Sequence, residues 1–249
     1  MEDRLDLTSL AAETHFWFRG FRAFVSPVLG EAAAGRRGLR LIDCGCGTGH
    51  NLQILAPHGR AFGVDLSASG LTHAKAAGRP LVRGDVTHLP YASGAFDIAT
   101  SFDVLQCVER DRDAVSEMAR VLGPGGYAVV TMAALEALRG DHSEVWQEYR
   151  RYTPAMARQL FDAAGLRVER VSFLFGTLLP LMYTVRLVQR LTRPYRALSH
   201  DSDIGLPPAP INAALTWLVE GEAALARRLP RFAQTPAGSS LLVVARKAK

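Results

Sequence analysis

The sequence predicts an α/β fold of the Rossmann-like, doubly wound kind, in which a parallel sheet carries helices on both faces. Short apolar segments alternate along the chain with segments of helical character, which is typical of such sheets. An apolar strand over residues 39–43 ends on an acid and runs into a turn with glycine at three alternate positions. Further acids follow later strands. Because ligands of these sheets bind at the carboxyl ends of the strands, these features predict one cleft at that edge.

Each element is predicted from its local sequence. A helix is expected over about residues 10–29, and a final helix over residues 211–228. Ser67 and Thr153 precede two further helices as N-caps, and Pro154 occupies a first helical position. Seven strands are expected, with helices between the first five, near residues 39–43, 61–64, 80–83, 96–101, 126–132, 167–174 and 240–246.

Composition limits the classes of protein to consider. The chain has 249 residues with 48% hydrophobic content, so we expect a single domain over residues 1–249 that includes an N-terminal helical region at residues 1–36. The net charge of +5 comes from basic residues scattered singly, which does not favour nucleic acid as a partner. No long uncharged apolar stretch and no signal-peptide pattern occurs, so a cytoplasmic location is expected. The three cysteines lack the second pair of a zinc site, and no metal is expected.

The glycine turn after the first strand predicts a nucleoside-cofactor site. Gly45, Gly47 and Gly49 leave no side chains between the backbone and a bound molecule, and the N–H groups at the helix start face the ligand. A dinucleotide-binding turn would space its glycines G-x-G-x-x-G, whereas this turn has G-x-G-x-G. Asp43, two residues before Gly45, would repel a diphosphate and suit a cationic ligand. An NAD(P)- or nucleotide-sugar-binding enzyme stays as an alternative.

The same turn and the segments after it closely resemble the class I S-adenosylmethionine-dependent methyltransferases, in the branch that includes quinone-biosynthesis methyltransferases. The resemblance covers roughly residues 15–174 and the last strand near 240–246. It implies a seven-stranded sheet whose last strand is antiparallel and lies beside the sixth, with S-adenosylmethionine as cofactor. The expected cofactor-binding residues are Arg19, Asp43, Gly45, Cys46, Gly47, Thr48, Asp65, Leu66, Asp85, Val86, Ser101 and Phe102.

Specific roles follow from the resemblance for some of these residues. Asp65 is expected to hold the ribose hydroxyls, Asp85 to contact the adenine amino group, and Val86 to flank the adenine ring. Arg19 could pair with the cofactor carboxylate, because an arginine fork suits that group. Cys107 departs from the family, since many relatives have histidine there.

Two regions are expected to decide the acceptor. His15 and Trp17 lie in an aromatic and basic N-terminal cluster, and they are candidate substrate-binding residues, although packing is the competing interpretation. The segment after the fifth strand contributes three more such candidates: Trp146, Arg150 and Arg151. It also holds the polar side chains considered for general-base catalysis, which are His142, Tyr149 and Tyr152. A structural role is the competing interpretation for each of these three residues.

About sixty residues, 175–238, separate the last two strands and are expected to form a helical lid, a homodimer contact or a peripheral membrane contact. The predicted reaction is methyl transfer to an oxygen, nitrogen or carbon nucleophile of a small-molecule acceptor, which is expected to be apolar or lipid-, quinone- or natural-product-like. In such a reaction the protein mainly aligns the reactants and excludes water. A non-catalytic partner subunit with the same fold is the remaining alternative.

Overall fold

A seven-stranded mixed sheet forms the centre of the computed structural model, which describes residues 13–75, 78–192, 205–228 and 236–248. The strands are β1 (Leu39–Cys44), β2 (Gly59–Asp65), β3 (Leu81–Arg83), β4 (Phe96–Phe102), β5 (Leu122–Ala133), β6 (Leu166–Leu174) and β7 (Ser240–Lys247). The α-helices are α1 (Phe16–Ala33), α2 (Leu52–Leu55), α3 (Ala68–Ala74), α4 (Asp111–Val121), α5 (Asp141–Val145), α6 (Pro154–Ala163), α7 (Leu179–Thr192) and α8 (Ala209–Arg228).

The strand order is β3-β2-β1-β4-β5-β7-β6, and β7 runs antiparallel to both of its neighbours. The predicted fold class is therefore confirmed. Strands β2 and β4 pair with β1 on opposite sides. The strand order therefore reverses at β1, with β2 and β3 on one side of it and β4–β7 on the other. Ligands of such sheets bind at this reversal, outside the carboxyl ends of the strands.

Helices cover both faces of the sheet and produce two apolar clusters. Leu41 and Ile42 are adjacent in β1 and both are fully buried, because neighbouring side chains of a central parallel strand point to opposite, helix-covered faces. Met118 of α4 and Phe161 of α6 belong to one cluster, and Val25 of α1 belongs to the other.

Helix α1 begins later in the chain than the sequence predicts. His15 is its N-cap, since the His15 Nδ1 atom accepts a hydrogen bond of 3.1 Å from the Trp17 N–H. The helix continues past residue 29 and ends where Ala34 turns into the left-handed region at φ +50°. Residues 1–12 lie outside the described part of the chain. Both predicted caps are confirmed, because Ser67 and Thr153 accept from the third N–H of their helices.

Strand β6 is parallel to β5, and β7 is antiparallel to both. The insertion between β6 and β7 therefore starts at the carboxyl end of β6 and returns to the same edge of the sheet at the start of β7. Helix α8 packs along α1, where a Cβ atom on Gly20 would come within 2.6 Å of Val219. Helix α7 lies against the turn at residues 136–138. Residues 193–204 and 229–235 of the predicted lid are outside the described part. None of the helices in the described ranges combines the length and apolar composition needed to cross a membrane.

Candidate functional site

The glycine turn after β1 requires glycine for both its backbone conformation and its packing. Gly45, Gly47 and Gly49 have φ values of +86°, +49° and +79°, in the region that side chains disfavour. A Cβ atom on Gly45 would lie 2.4 Å from Val104, and one on Gly49 would lie 2.7 Å from Ala74. The turn therefore packs closely against Val104, which follows β4, and against Ala74 at the end of α3.

Asp43 lies inside this edge of the sheet, with no exposed surface. Its Oδ1 atom accepts a hydrogen bond of 2.8 Å from Thr100 Oγ1, while Oδ2 has no hydrogen-bond partner among the described residues. Burial raises the pKa of Asp43 to about 7, which Thr100 opposes and the negative charge of Asp65 reinforces. A buried carboxylate oxygen without a donor is costly, so this site suits a ligand that carries a positively charged donor.

Asp65 is the last residue of β2, and Asp85 lies two residues after β3. Both carboxylates accept hydrogen bonds from backbone N–H groups of nearby loops. Asp65 Oδ2 accepts from the backbone N–H of Gly47 at 2.7 Å, and Oδ1 accepts from the Ser67 N–H at 2.8 Å. Asp85 accepts from the Thr87 N–H at 2.8 Å, and this hydrogen bond is the main cause of the lowered pKa of Asp85. A carboxylate has about four acceptor positions, so both groups keep oxygen lone pairs for further donors.

Ser101 and Phe102 are the last two residues of β4, beside Asp43, and the side chains of both contact other parts of the protein. Ser101 is fully buried, and its hydroxyl donates to the Cys44 carbonyl oxygen at 2.9 Å, which ties β4 to β1. Phe102 is also buried, and its ring packs edge-on against Phe21 of α1 at a centroid distance of 5.1 Å. Through its ring, Phe102 connects the N-terminal helix to the predicted cleft.

The other predicted cofactor residues differ in exposure. Cys46 is buried, and its sulfur would lie 2.7 Å from a Cβ atom on Gly63, so the thiol fills space between β1 and β2. Val86 is buried, Thr48 is half-buried, and Leu66 is 60% exposed just beyond β2. Within the described ranges, no group of three or more His, Cys, Asp or Glu side chains is arranged to hold a metal ion.

Arg150 and Tyr152 fix the segment after β5 to the start of α4. The Arg150 guanidinium lies 2.7 Å from the Asp111 carboxylate and donates to the carbonyl oxygens of Val108 and Glu109. Tyr152 is buried, and its hydroxyl donates to Asp111 at 2.8 Å. Burial and the Asp111 charge raise the pKa of Tyr152 well above its ordinary value. This geometry favours the structural interpretation that the sequence analysis left open for Tyr152, and it gives Arg150 protein partners in place of a substrate.

Arg151 turns inward instead. Its Nε atom lies 3.8 Å from Glu148 Oε2, and both side chains are at least nine-tenths buried. Neither atom has a hydrogen-bond partner in the part of the chain that the structure describes. Asp103 follows β4 directly and has a left-handed conformation at φ +56°, and its carboxyl group interacts electrostatically with both charges. Burial raises the pKa of Asp103 to about 6, while a hydrogen bond with Thr131 opposes the rise. The sequence analysis missed Asp103, although an acid at a strand end was a recognisable signal.

The N-terminal candidates contact the insertion. Arg19, the arginine that was predicted to pair with the cofactor carboxylate, forms a 2.9 Å ion pair with Glu220 of α8 instead. Trp17 stacks on Phe175 with ring centroids 4.0 Å apart. His15 is buried as the cap of α1, and burial lowers the pKa of its imidazole. These three residues fasten α1 to the insertion.

His142, Trp146 and Tyr149 occupy the segment that precedes Arg150. His142 and Trp146 are half-buried, with ring centroids 6.1 Å apart, whereas Tyr149 is 53% exposed. Cys107, at the position of the family histidine, is half-buried, and burial raises the pKa of its thiol. A thiol in this state is a poor proton acceptor at neutral pH.

Comparison with known proteins favours a methyltransferase among the alternatives for this chain. The methyltransferase domain family matches residues 42–130. A malonyl-[acyl-carrier protein] O-methyltransferase of Pectobacterium atrosepticum is 33% identical over 163 residues, covering 60% of this chain and 63% of the relative. A demethylmenaquinone methyltransferase of Beutenbergia cavernae is 36% identical over 126 residues, covering 47% and 52%. These matches support a class I S-adenosylmethionine-dependent methyltransferase.

The family match over residues 42–130 runs from β1 into β5 and includes the glycine turn. The chain spans between about half and two thirds of the length of the curated relatives named above. The S-adenosylmethionine-dependent methyltransferase of Mesorhizobium loti shares the fold, with a TM-score of 0.56, 21% identity, and coverage of 89% of this chain and 96% of that one.

The candidate site fits S-adenosylmethionine, the cofactor that the matched family implies. This cofactor carries an ammonium and a sulfonium and has no phosphate, so the buried carboxylate of Asp43 is compatible with it. The Asp43 Oδ2 atom lacks a donor, as expected for a site that receives a cationic group. A dinucleotide would instead bring a diphosphate to this acidic turn.

Proposed function

We propose that this methyltransferase transfers the methyl group of S-adenosylmethionine to a nucleophilic atom of an apolar small-molecule acceptor. The observation that carries the proposal is the convergence of Asp43, Asp65 and Asp85 at the ends of three adjacent strands, beside a turn that only glycine fits. The cofactor supplies a methyl group on a positively charged sulfur that is its own leaving group. The chain therefore needs to bind, orient and shield the reactants.

Each acid in the proposal receives a donor-bearing part of the cofactor. Asp43 accepts from the ammonium group through its unpartnered Oδ2 atom. Asp65 accepts from ribose hydroxyls while it holds the glycine turn. Asp85 accepts from the adenine amino group, with the buried Val86 and the exposed Leu66 as apolar surfaces for the ring.

Asp103 is the proton acceptor in this proposal when the acceptor arrives protonated. It directly follows β4 at the carboxyl edge, and its pKa near 6 leaves it mainly ionised at neutral pH. His142 and Tyr149 stay as predicted alternatives, and neither has a comparable position at a strand end. Arg151 is the proposed anchor for a carboxylate or other acidic group of the acceptor, because its buried guanidinium has an Nε–H that no atom of the described residues accepts.

The proposed acceptor is lipid- or quinone-like. One relative is named for a malonyl-acyl carrier protein and another for demethylmenaquinone, and we extend that class of acceptor to this chain. The aromatic side chains of Trp17, Phe175 and Phe102 at the α1 side of the cleft support an apolar ligand. A cytoplasmic location and a homodimer remain predictions.

A methyl-transfer assay tests the proposal. The purified protein is incubated with methyl-labelled S-adenosylmethionine and with extracts of bacterial lipids and quinones, and label in the extracted product is measured. We expect transfer by the wild type and by Asp162→Asn, a matched control that changes an exposed carboxylate on α6, and loss of transfer in Asp65→Ala. A thermal shift with NAD but none with S-adenosylmethionine would contradict the proposal. Cofactor binding without transfer to any extract would favour the non-catalytic alternative.

A further inference from the structure

The loop between β3 and β4 carries Asp85 and Val86, and residues 84–95 contain no helix or strand. Asp85 closes the first turn of this loop, because its side chain accepts from the Thr87 N–H at 2.8 Å and its carbonyl oxygen accepts from the His88 N–H at 3.0 Å. The backbone groups after this turn have no strand or helix of their own in which to pair. Backbone N–H and C=O groups that leave water need partners elsewhere, so the position of the loop depends on contacts from outside it.

Two charged side chains of α4 supply such contacts. Glu117 and Arg120 lie about one helical turn apart, on the same side of α4. The Glu117 Oε2 atom accepts a hydrogen bond of 2.7 Å from the Leu89 N–H. Arg120 donates to the carbonyl oxygen of Leu89 at 2.9 Å and to that of Tyr91 at 2.7 Å. Three backbone groups of the loop are therefore bonded to charged groups, which form the stronger class of hydrogen bond.

The two side chains also hold each other. Arg120 Nε donates to Glu117 Oε1 at 2.7 Å, and Arg120 Nη2 donates to Glu117 Oε2 at 2.8 Å, so the pair is bidentate. The Glu117 side chain is 20% exposed. The hydrogen bond from Arg120 is the main cause of the lowered pKa of Glu117, so its carboxylate is ionised at neutral pH. Because the guanidinium is planar and one of its edges is fixed, the pair presents its donors and its acceptor to the loop in one geometry.

We infer that Glu117 and Arg120 are positioning residues for recognition of the adenine ring. Val86 and Leu89 are buried in the same apolar cluster, which holds the loop against the protein but is not directional. The hydrogen bonds from α4 fix the direction of the loop backbone as well. A hydrogen bond weakens steeply when its geometry departs from the optimum, so the contact of Asp85 with the adenine amino group depends on the backbone that Glu117 and Arg120 hold. The inference rests on the role that the proposed function gives to Asp85.

Discrimination between two nucleoside ligands by the full chain tests the inference. Calorimetry measures the dissociation constants of S-adenosylhomocysteine and of S-inosylhomocysteine, in which an oxo group replaces the adenine amino group. The wild type is expected to prefer the adenosyl compound by about tenfold or more, because the oxo group donates no hydrogen bond to the Asp85 carboxylate. Glu117→Ala and Arg120→Ala should each reduce this preference to less than about threefold, as should Asp85→Ala, the positive control.

Two controls separate positioning from a general loss of stability. A purely structural pair would change the stability, or both affinities together, and would leave the ratio of the two affinities at its wild-type value. Arg112→Ala removes an exposed arginine from the same helix, and Glu222→Ala removes a buried carboxylate from the distant α8. Both variants should keep the wild-type ratio.

The outcomes are distinguishable from those of the proposed function. If the alanine variants do not fold, Arg120→Lys replaces them, because lysine keeps the charge but not the planar fork; it should also reduce the ratio. A wild-type ratio in the folded Glu117 and Arg120 variants, with a reduced ratio in Asp85→Ala, would overturn the inference alone. A wild type without preference for the adenosyl compound would contradict the proposed role of Asp85 and overturn the inference with it.

Discussion

The Asp65 carboxylate at the end of β2 accepts a hydrogen bond of 2.7 Å from the backbone N–H of Gly47 in the turn after β1. Its second oxygen accepts from the Ser67 N–H at the start of α3. One side chain thus holds two loops that border the proposed cofactor site. Loss of this carboxylate removes a proposed ligand contact and also loosens the turn that forms the rest of the site.

Asp65→Ala is expected to weaken S-adenosylmethionine binding by about 1–3 kcal/mol, through lost charged hydrogen bonds and a less ordered turn. Isothermal titration calorimetry measures the affinity, with Asp162→Ala as a control on α6. An affinity equal to that of the wild type would remove Asp65 from the cofactor site.

Asp43→Asn is expected to weaken cofactor binding while it increases stability. The pKa of Asp43 is about 7 in the folded protein, above its ordinary value of 3.8. Its ionisation therefore costs stability as pH rises above about 4, and the full cost is present above about pH 7. Asparagine avoids that cost, and we expect a gain on the order of 1–3 kcal/mol at pH 8.

Urea denaturation at pH 5 and pH 8 measures this effect. The stability difference between Asp43→Asn and the wild type should be larger at pH 8 than at pH 5. A difference that is the same at both pH values would show that the Asp43 charge is not responsible.

Asp103→Asn is expected to lower kcat for methyl transfer by about a hundredfold or more and to leave cofactor affinity unchanged, as for loss of a general base. Because the pKa of Asp103 is raised to about 6, the wild-type kcat should rise with pH through about 6 and level off above it. A pH–rate profile with the acceptor found in the extract assay measures both. Retention of the pH-dependent step at about 6 in the variant would exclude Asp103 as its source.

Glu222→Ala is expected to destabilise the protein by about 2–3 kcal/mol. Glu222 of α8 is buried and accepts from the Gly176 and Thr177 N–H groups, each at 2.9 Å, which fixes α8 to the end of β6. Glu220→Ala is the matched control on the same helix, since its ion pair with Arg19 is largely exposed and should contribute less than about 1 kcal/mol. Similar melting temperatures for the two variants would contradict this assignment.

Arg150→Lys and Arg151→Lys are expected to differ. Arg150 makes charged and backbone contacts that lysine cannot reproduce, so Arg150→Lys should lower the melting temperature with little change in the acceptor KM. Arg151→Lys should raise the acceptor KM and leave the cofactor KM unchanged. If both variants had wild-type kinetics, the acceptor would have no charged anchor on this segment.

The sequence by itself determined the sheet, the glycine turn and the family. Strand positions follow from short apolar runs bounded by turn residues, and the G-x-G-x-G spacing after Asp43 restricts both backbone conformation and ligand charge. These are local properties, because they depend on neighbours within a few residues. The predicted N-caps at Ser67 and Thr153 were right for the same reason.

Only the tertiary structure decided which side chains were free for chemistry. Arg19, Arg150 and Tyr152 have suitable functional groups, but Glu220 and Asp111, far away in the sequence, engage them. Long-range partners and burial set the charge, access and pKa of a side chain, and the sequence pattern does not contain them.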